Sequence, residues 1–168
     1  RRQRQMCIRD SMKIRLGGVM AGKAAQKLGI NITTVAASEL YESLQRGVID
    51  GGEFSGPKAD DSLKLQEVAP YWCAPAWYQS AGVNGVMVNM DAWNELPEEY
   101  QTAFETAARL CCGEQLSRYI WNDMTVTNQM IEEQGVTVTS LPEEDMELIR
   151  QACLETYQEE CEINPNFK

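Results

Sequence analysis

Two ionisable side chains stand where an extended segment runs out into glycine. Arg15 lies in MKIRL (Met12–Leu16), which is followed by Gly17–Gly18. Glu53 follows Gly51–Gly52 within GVIDGGEFSGP (Gly47–Pro57) and precedes Phe54. An arginine at a strand end can project into a crevice and grip a carboxylate through two parallel N–H···O bonds. A surface arginine paired with any of the chain's many acids is the plainer reading. Glycines beside Glu53 leave room for close approach to the backbone. A carboxylate there can bind a cation, act as a general base or pair with Arg15 in a buried ion pair, and as a base it lacks an evident partner acid. Trp72, Trp77 and Tyr78 surround Pro75 and either wall a pocket or fill the core. Gln79 comes next, with an amide oxygen able to meet a cation or a ligand. Asp60–Asp61 read as a solvated helix face.

Much other chemistry is excluded. The sequence has no histidine, which removes the commonest general base and metal ligand and every Ser–His or Cys–His arrangement. Its cysteines are Cys7, Cys73, Cys111, Cys112, Cys153 and Cys161. None forms a C-x-x-C pair, so neither a zinc ribbon nor a thioredoxin-type motif is present. They are expected to be buried apolar thiols. A net charge of −10 over 168 residues argues against nucleic acid, which needs a basic face. No apolar run is long enough to cross a membrane.

The elements that must position these residues alternate between short strands and helices, the pattern of an α/β protein. Lys13–Leu16 is extended, and Val19–Leu28 is a helix closed by Gly29. Thr33–Val35 reads as a β-branched strand. Ser38 is expected to cap a helix ending at Gly47, with Leu40, Leu44 and Val48 on one face. Ile49–Phe54 follows as a strand, and Gly56–Pro57 opens a helix to about Leu65. Val68–Trp72 and Val83–Asn89 read as strands, with a short helix over Asp91–Glu95. Pro97, Glu98 and Glu99 suit the first turn of a long helix over about residues 97–134. At 1.5 Å per residue it reaches about 55 Å, long enough to bridge two lobes unless Gly113 breaks it. Val136–Ser140 is a last strand, and Pro142 opens a final acidic helix to about Glu160.

The first eleven residues, RRQRQMCIRDS, differ from the rest. They carry four arginines and one aspartate in an acidic chain. RQMCIRDS resembles the peptide obtained when sequencing-adapter DNA is translated, so residues 1–11 are expected to be a non-native leader.

From Met12 onward the segments LYESLQRGVIDG, EFSGPKADDSLKL, PAWYQSAG and VNGVMVNMDAWNELPEE and the long helix follow in order. Together they resemble the C-terminal half of TRAP-transporter solute-binding proteins of the DctP type, most of all the subgroup that binds 2-oxo acids or lactate with a metal ion. The resemblance covers residues 12–168. It implies a type II periplasmic-binding-protein fold, with two α/β lobes, hinge strands and a long helix across both, whose N-terminal portion, with its signal peptide, lies outside these residues. It implies a receptor and not an enzyme. The receptor binds a small organic acid in the periplasm and delivers it to TRAP membrane subunits, with room for a homodimer.

Residue by residue, the family's carboxylate-pairing arginine falls on Arg15. Its metal-ligating acid falls on Glu53, and the next backbone carbonyl on Phe54, where the family has tryptophan. Gln79 falls where that subgroup has a second glutamate, so one negative charge is lost, which weakens the case for a divalent ion such as Ca²⁺ and favours Na⁺ or a looser site. Trp77 joins the ligand wall. Other readings are an organic-acid or C4-dicarboxylate receptor without metal, an enzyme using Glu53 as base, and the effector domain of a cytoplasmic regulator.

Overall fold

The computed structural model describes residues 11–78, 82 and 85–167. Residues 1–10 of the expected leader 1–11, and Gln79, lie outside the described residues. Three parallel strands form the sheet that carries the site. They are β1 (Lys13–Arg15), β2 (Asn31–Ile32) and β3 (Gly51–Gly52), in the order β2-β1-β3. Ile14 is in register with Ile32 on one side, and Arg15 with Gly52 on the other. Parallel strands need a crossover between them. Helix α1 (Val19–Lys27) supplies it between β1 and β2, and α2 (Leu40–Gln45) lies between β2 and β3. Because Arg15 faces Gly52, β1 and β3 end side by side, and Glu53 emerges beside Gly17.

The strand expected at Thr33–Val35 lies two residues earlier. Thr33 N donates to Ile14 O at 2.9 Å and ends the ladder, while the Val35 carbonyl is taken by the Arg15 side chain. Ser38 caps nothing. It sits in a 3₁₀ turn over Ala37–Glu39 that leads into α2 without a side-chain cap. The strand expected over Ile49–Phe54 shrinks to its two glycines, because Ile49 and Phe54 turn into the core. That core is Leu40, Ile49 and Leu65, with Val35, Tyr41, Leu44, Phe54 and Leu63 against it. Val48, expected on the helix's buried face, is exposed, and Ile49 takes that place.

Helix α3 (Pro57–Ser62) follows, then a second parallel pair, β4 (Tyr71–Cys73) with β5 (Thr137–Thr139). Of the strand expected over Val83–Asn89, Val83 and Asn84 lie outside the described residues; Gly85–Asn89 has no strand partner among the described residues, and Val86 and Met87 stand exposed. Asn89 instead caps α4 (Met90–Glu95), its Oδ1 accepting from Asp91 N and Ala92 N at 2.9 and 3.1 Å. A polar side chain offered to free helix N–H groups outweighs a β-branched run with no partner strand.

Helix α5 (Glu98–Glu132) runs 35 residues straight through Gly113 and stops before Gly135. Its rise gives about 52 Å. It is held at its ends. Phe104 stacks edge-on to Trp93 of α4 with ring centroids 5.6 Å apart, while Val126 and Met130 pack with Val136 and Trp72. Its middle is solvated, so Cys111 and Cys112 are exposed, as is Cys73, and Cys153 and Cys161 are half-buried. The expectation of buried thiols is not met by any of the described cysteines: Cys111 and Cys112 lie on the solvated middle of α5, Cys73 is exposed on β4, and Cys153 and Cys161 are only half-buried on α6. Helix α6 (Glu143–Ile163) returns to lie against α1. Small residues Ala21, Ala24 and Ala25 face Ala152 and Thr156 there, and Lys27 meets Glu159 at 2.5 Å.

Leu40 is fully buried, and a Cβ on Gly52 would come within 2.8 Å of its Cδ1. Leu40→Ala is expected to destabilise the fold by about 2–5 kcal/mol, read from denaturant midpoints. A loss under about 1 kcal/mol would mean that this cluster does not hold β3 in place.

Candidate functional site

The site grows from the shared end of β1 and β3. Glu53 is 7% exposed, one of two buried polar residues among those described. A buried carboxylate needs both a countercharge and hydrogen-bond donors, and Glu53 has both. Arg15 Nη1 donates to Glu53 Oε1 at 2.6 Å and to the Glu53 carbonyl at 2.5 Å. Gly17 N also donates to Oε1. A Cβ at position 17 would collide with Oε1, so glycine there is what lets the carboxylate reach the backbone. Arg15 Nε is spent on the Val35 carbonyl at 3.2 Å. The guanidinium therefore ties three segments together and keeps Nη2 as the nitrogen without a described partner.

This geometry separates the open readings. Arg15 and Glu53 form a buried ion pair with each other, and the pair sits at the carboxyl ends of parallel strands, where open α/β sheets place ligands. A two-nitrogen grip by Arg15 on an external carboxylate is not available in this arrangement, since Nε and Nη1 are both engaged. Nη2 remains for an anion. No donor among the described residues reaches Glu53 Oε2 or the Phe54 carbonyl. These two oxygens are hard donors of the kind Na⁺ and Ca²⁺ accept. The Phe54 ring packs into the core, so a contribution from Phe54 to a ligand falls to its backbone. The described residues hold no cluster of three or more acidic or thiol ligands, so a cation here would complete its shell with neutral oxygens or with the acid itself.

The aromatics divide. Trp72 belongs to the second core with Val126, Met130 and Val136. Trp77 stands edge-on to Tyr78 with ring centroids 6.1 Å apart. Tyr78 is close enough to the site for its hydroxyl to respond to it. Burial raises its pKa, and the Glu53 and Asp60 carboxylates raise it further.

Sequence reasoning missed Asp60, read as solvated. Burial pushes its carboxyl up to about 6, with Asp123 and Glu53 adding to the rise and the Ser55 N–H opposing it. Asp60 Oδ1 accepts from Ser55 N at 3.4 Å. It also missed Asp123 of α5, whose Oδ1 accepts from Lys58 N at 3.0 Å. The available signal was that Gly56-Pro57 opens a helix with no capping side chain of its own, which leaves amides in need of an acceptor from elsewhere.

The described concavities lie away from these residues. One of about 360 Å³ is lined by Val86, Met90, Trp93 and Phe104, and one of about 470 Å³ by Asp61, Lys64, Gln66 and Gln134. Neither of these two concavities is lined by Arg15 or Glu53.

Short parallel sheets, a long helix and a carboxylate–guanidinium pair at the strand ends are the described features of an α/β protein. The profile of the bacterial extracellular solute-binding proteins, family 7 (DctP), matches residues 10–163, and the chain belongs to that family. A monocarboxylate 2-oxoacid-binding periplasmic protein from Nostoc is 38% identical over 96 residues, 57% of this chain and 26% of that protein. A TRAP-transporter solute-binding protein from Bordetella bronchiseptica, solved with calcium and picolinate in its occupied site, superposes with a TM-score of 0.83 at 30% identity, covering 96% of this chain and 48% of that one. Another from Colwellia psychrerythraea, solved with calcium and pyruvate, gives 0.83 at 28% identity, covering 96% and 49%. The fold is the type II periplasmic-binding-protein fold, and the chain spans about half the length of these structures.

Two outcomes follow from this geometry. Gly17→Ala is expected to lower stability by about 1–3 kcal/mol, because the methyl displaces a buried hydrogen-bonded carboxylate, and thermal melting checks it. For Asp60, the folded pKa of about 6 lies above the ordinary 3.8. The folded chain therefore binds this proton more tightly than the unfolded chain, and the group's contribution to stability falls as pH rises from about 4 to about 6. Asp60→Asn is expected to flatten that part of the pH–stability curve relative to wild type. Parallel curves would show that Asp60 titrates normally.

Proposed function

We propose that this chain forms the carboxylate-and-cation wall of a periplasmic solute receptor. Its ligand is a small organic acid of the 2-oxo or 2-hydroxy monocarboxylate class, taken up with a metal cation and passed to TRAP membrane subunits. Residues 12–168 would be one lobe, the hinge strands and the long helix of that receptor. The observation that carries the reading is the Arg15–Glu53 pair at the strand ends, with Glu53 Oε2 and the Phe54 carbonyl left open beside it. Membership of the family and the acids bound by its relatives support it.

Charge explains why a cation belongs in the pair's company. Arg15 and Glu53 cancel, so an incoming carboxylate brings an uncompensated negative charge to a partly dry place. Asp60, once ionised, worsens the balance. Na⁺ or Ca²⁺ would be held by Glu53 and the Phe54 carbonyl, with Gln79 as a further oxygen donor. When bound it supplies the positive charge that the acid's carboxylate requires. Arg15 Nη2 then donates to the acid, Trp77 and Tyr78 cover its apolar side, and Gly17 keeps the Glu53 carboxylate against the backbone. A ligand gripped on this wall favours the conformation in which the opposing lobe also touches it.

The test is calorimetric titration of pyruvate into the native protein that carries this chain, with Na⁺, with Ca²⁺ and with chelator. Arg15→Ala is expected to abolish binding, and near-native affinity would refute the assignment. Glu53→Gln is expected to raise the cation concentration needed for half-maximal binding by about tenfold, the loss of one charge-assisted ligand. Turnover of pyruvate in place of simple binding would favour an enzyme.

A further inference from the structure

The chain that leaves Glu53 is held from an unexpected direction. After Gly52 the sheet gives it one more bond, Glu53 N to Arg15 O at 3.1 Å. The next residues, Phe54 to Lys58, have no strand beside them and turn at once into the short helix α3. Two side chains of the long helix α5 hold this turn. Tyr119 OH lies 3.0 Å from Ser55 Oγ, within a hydrogen bond. Asp123 Oδ1 accepts from Lys58 N at 3.0 Å and so caps α3 from another element. Between them sits Gly56, where an added Cβ would fall 2.7 Å from both Asp123 Oδ2 and Tyr119 OH. Tyr119 and Asp123 are four residues apart, hence on one helix face. Asp123 is itself placed close to the second core, three residues before Val126.

We propose that Tyr119 and Asp123 are positioning residues for the acid-and-cation site. By gripping Ser55, Gly56 and Lys58 they set the backbone on which the Glu53 carboxylate and the Phe54 carbonyl are presented. This rests on the functional reading above and adds a link to it: the long helix and the ligand-facing oxygens move as one body. Neither side chain touches the ligand. Their effect passes through a turn otherwise held by the Ser55 N–H to Asp60 Oδ1 bond at 3.4 Å, with Phe54 in the core on one side and α3 on the other. A side chain at position 56 would have to push the Tyr119 hydroxyl and the Asp123 carboxylate away from the turn.

The experiment uses the native protein, unmodified and as Tyr119→Phe and Gly56→Ala, with two readouts. The first is amide hydrogen exchange without ligand. The second is the Na⁺ or Ca²⁺ concentration giving half-maximal pyruvate binding, measured beside pyruvate affinity at saturating cation. Tyr119→Phe removes one hydrogen bond without changing packing, so the fold is retained. The expected result is about tenfold faster exchange confined to Ser55–Lys58. With it goes a several-fold rise in the cation requirement and a smaller change in pyruvate affinity at saturating cation. A merely structural role would speed exchange throughout α5 and lower the melting temperature while leaving the cation requirement unchanged, and that overturns the proposal. Unchanged exchange at Ser55–Lys58 in both variants overturns it too, as does local loosening with an unaltered cation requirement. If the unmodified protein binds no pyruvate with either cation, the functional reading falls and the proposal with it. Tight binding by the unmodified protein and both variants alike defeats the proposal alone.

Discussion

The contact between Arg15 and Glu53 organises everything around it. A nearly buried guanidinium and a buried carboxylate would each be costly alone. Together they are stable because three further polar groups are enlisted: the Val35 carbonyl, the Glu53 carbonyl and the Gly17 amide. The consequence is architectural as much as electrostatic. The ends of two strands and the segments after β1 and β2 are fastened at one point, so the mouth of the sheet has a defined shape before any ligand arrives. The same pairing determines what the mouth can accept. It spends the positive charge of Arg15 internally and leaves one guanidinium nitrogen and two oxygens without a described partner, the set on which the proposed acid-and-cation reading rests.

The long helix is the second constraint. A helix of 35 residues with two buried side chains cannot owe its position to a continuous core. It is located by contacts at its two ends and by the polar grip of Tyr119 and Asp123 on the turn after Glu53. Its solvated middle carries Leu110, Leu116, Ile120 and Trp121, a surface whose character differs from that of the ends. The C-terminal helix secures the opposite side, where lysines of α1 meet Glu155, Glu159 and Glu160. The site is thereby attached to both large helices through α1, which starts just after Gly17, and through α3.

The sequence made the alternating elements legible because glycines and prolines punctuate them: Gly29, Gly47, Pro57, Gly135 and Pro142 all mark boundaries close to the observed ones. It also singled out Arg15 and Glu53 through their glycine neighbours. What escaped was decided by tertiary partners. Thr33–Val35 looked like a strand on β-branching alone, but the Arg15 side chain claims the Val35 carbonyl. Val83–Asn89 looked like another, yet its described part, Gly85–Asn89, has no strand beside it among the described residues, and Asn89 caps a helix instead. Asp60 looked solvated because its neighbours Lys58 and Asp61 are polar, whereas α3 packs against α5, whose Asp123 lies more than 60 residues away in sequence and acts on it. The ion pair itself was one of several roles open to Glu53, and only the register of Arg15 with Gly52 brings the two together.

The most direct test of this account is a double-mutant cycle on folding stability with Arg15→Met, Glu53→Gln and the two combined. If the pair is the organising contact, each single change strands a buried polar partner. The double change then costs less than the sum of the two, with a coupling of about 1–3 kcal/mol. Additivity within about 0.5 kcal/mol would show that Arg15 and Glu53 act independently, and the account of the site built on their contact would not stand.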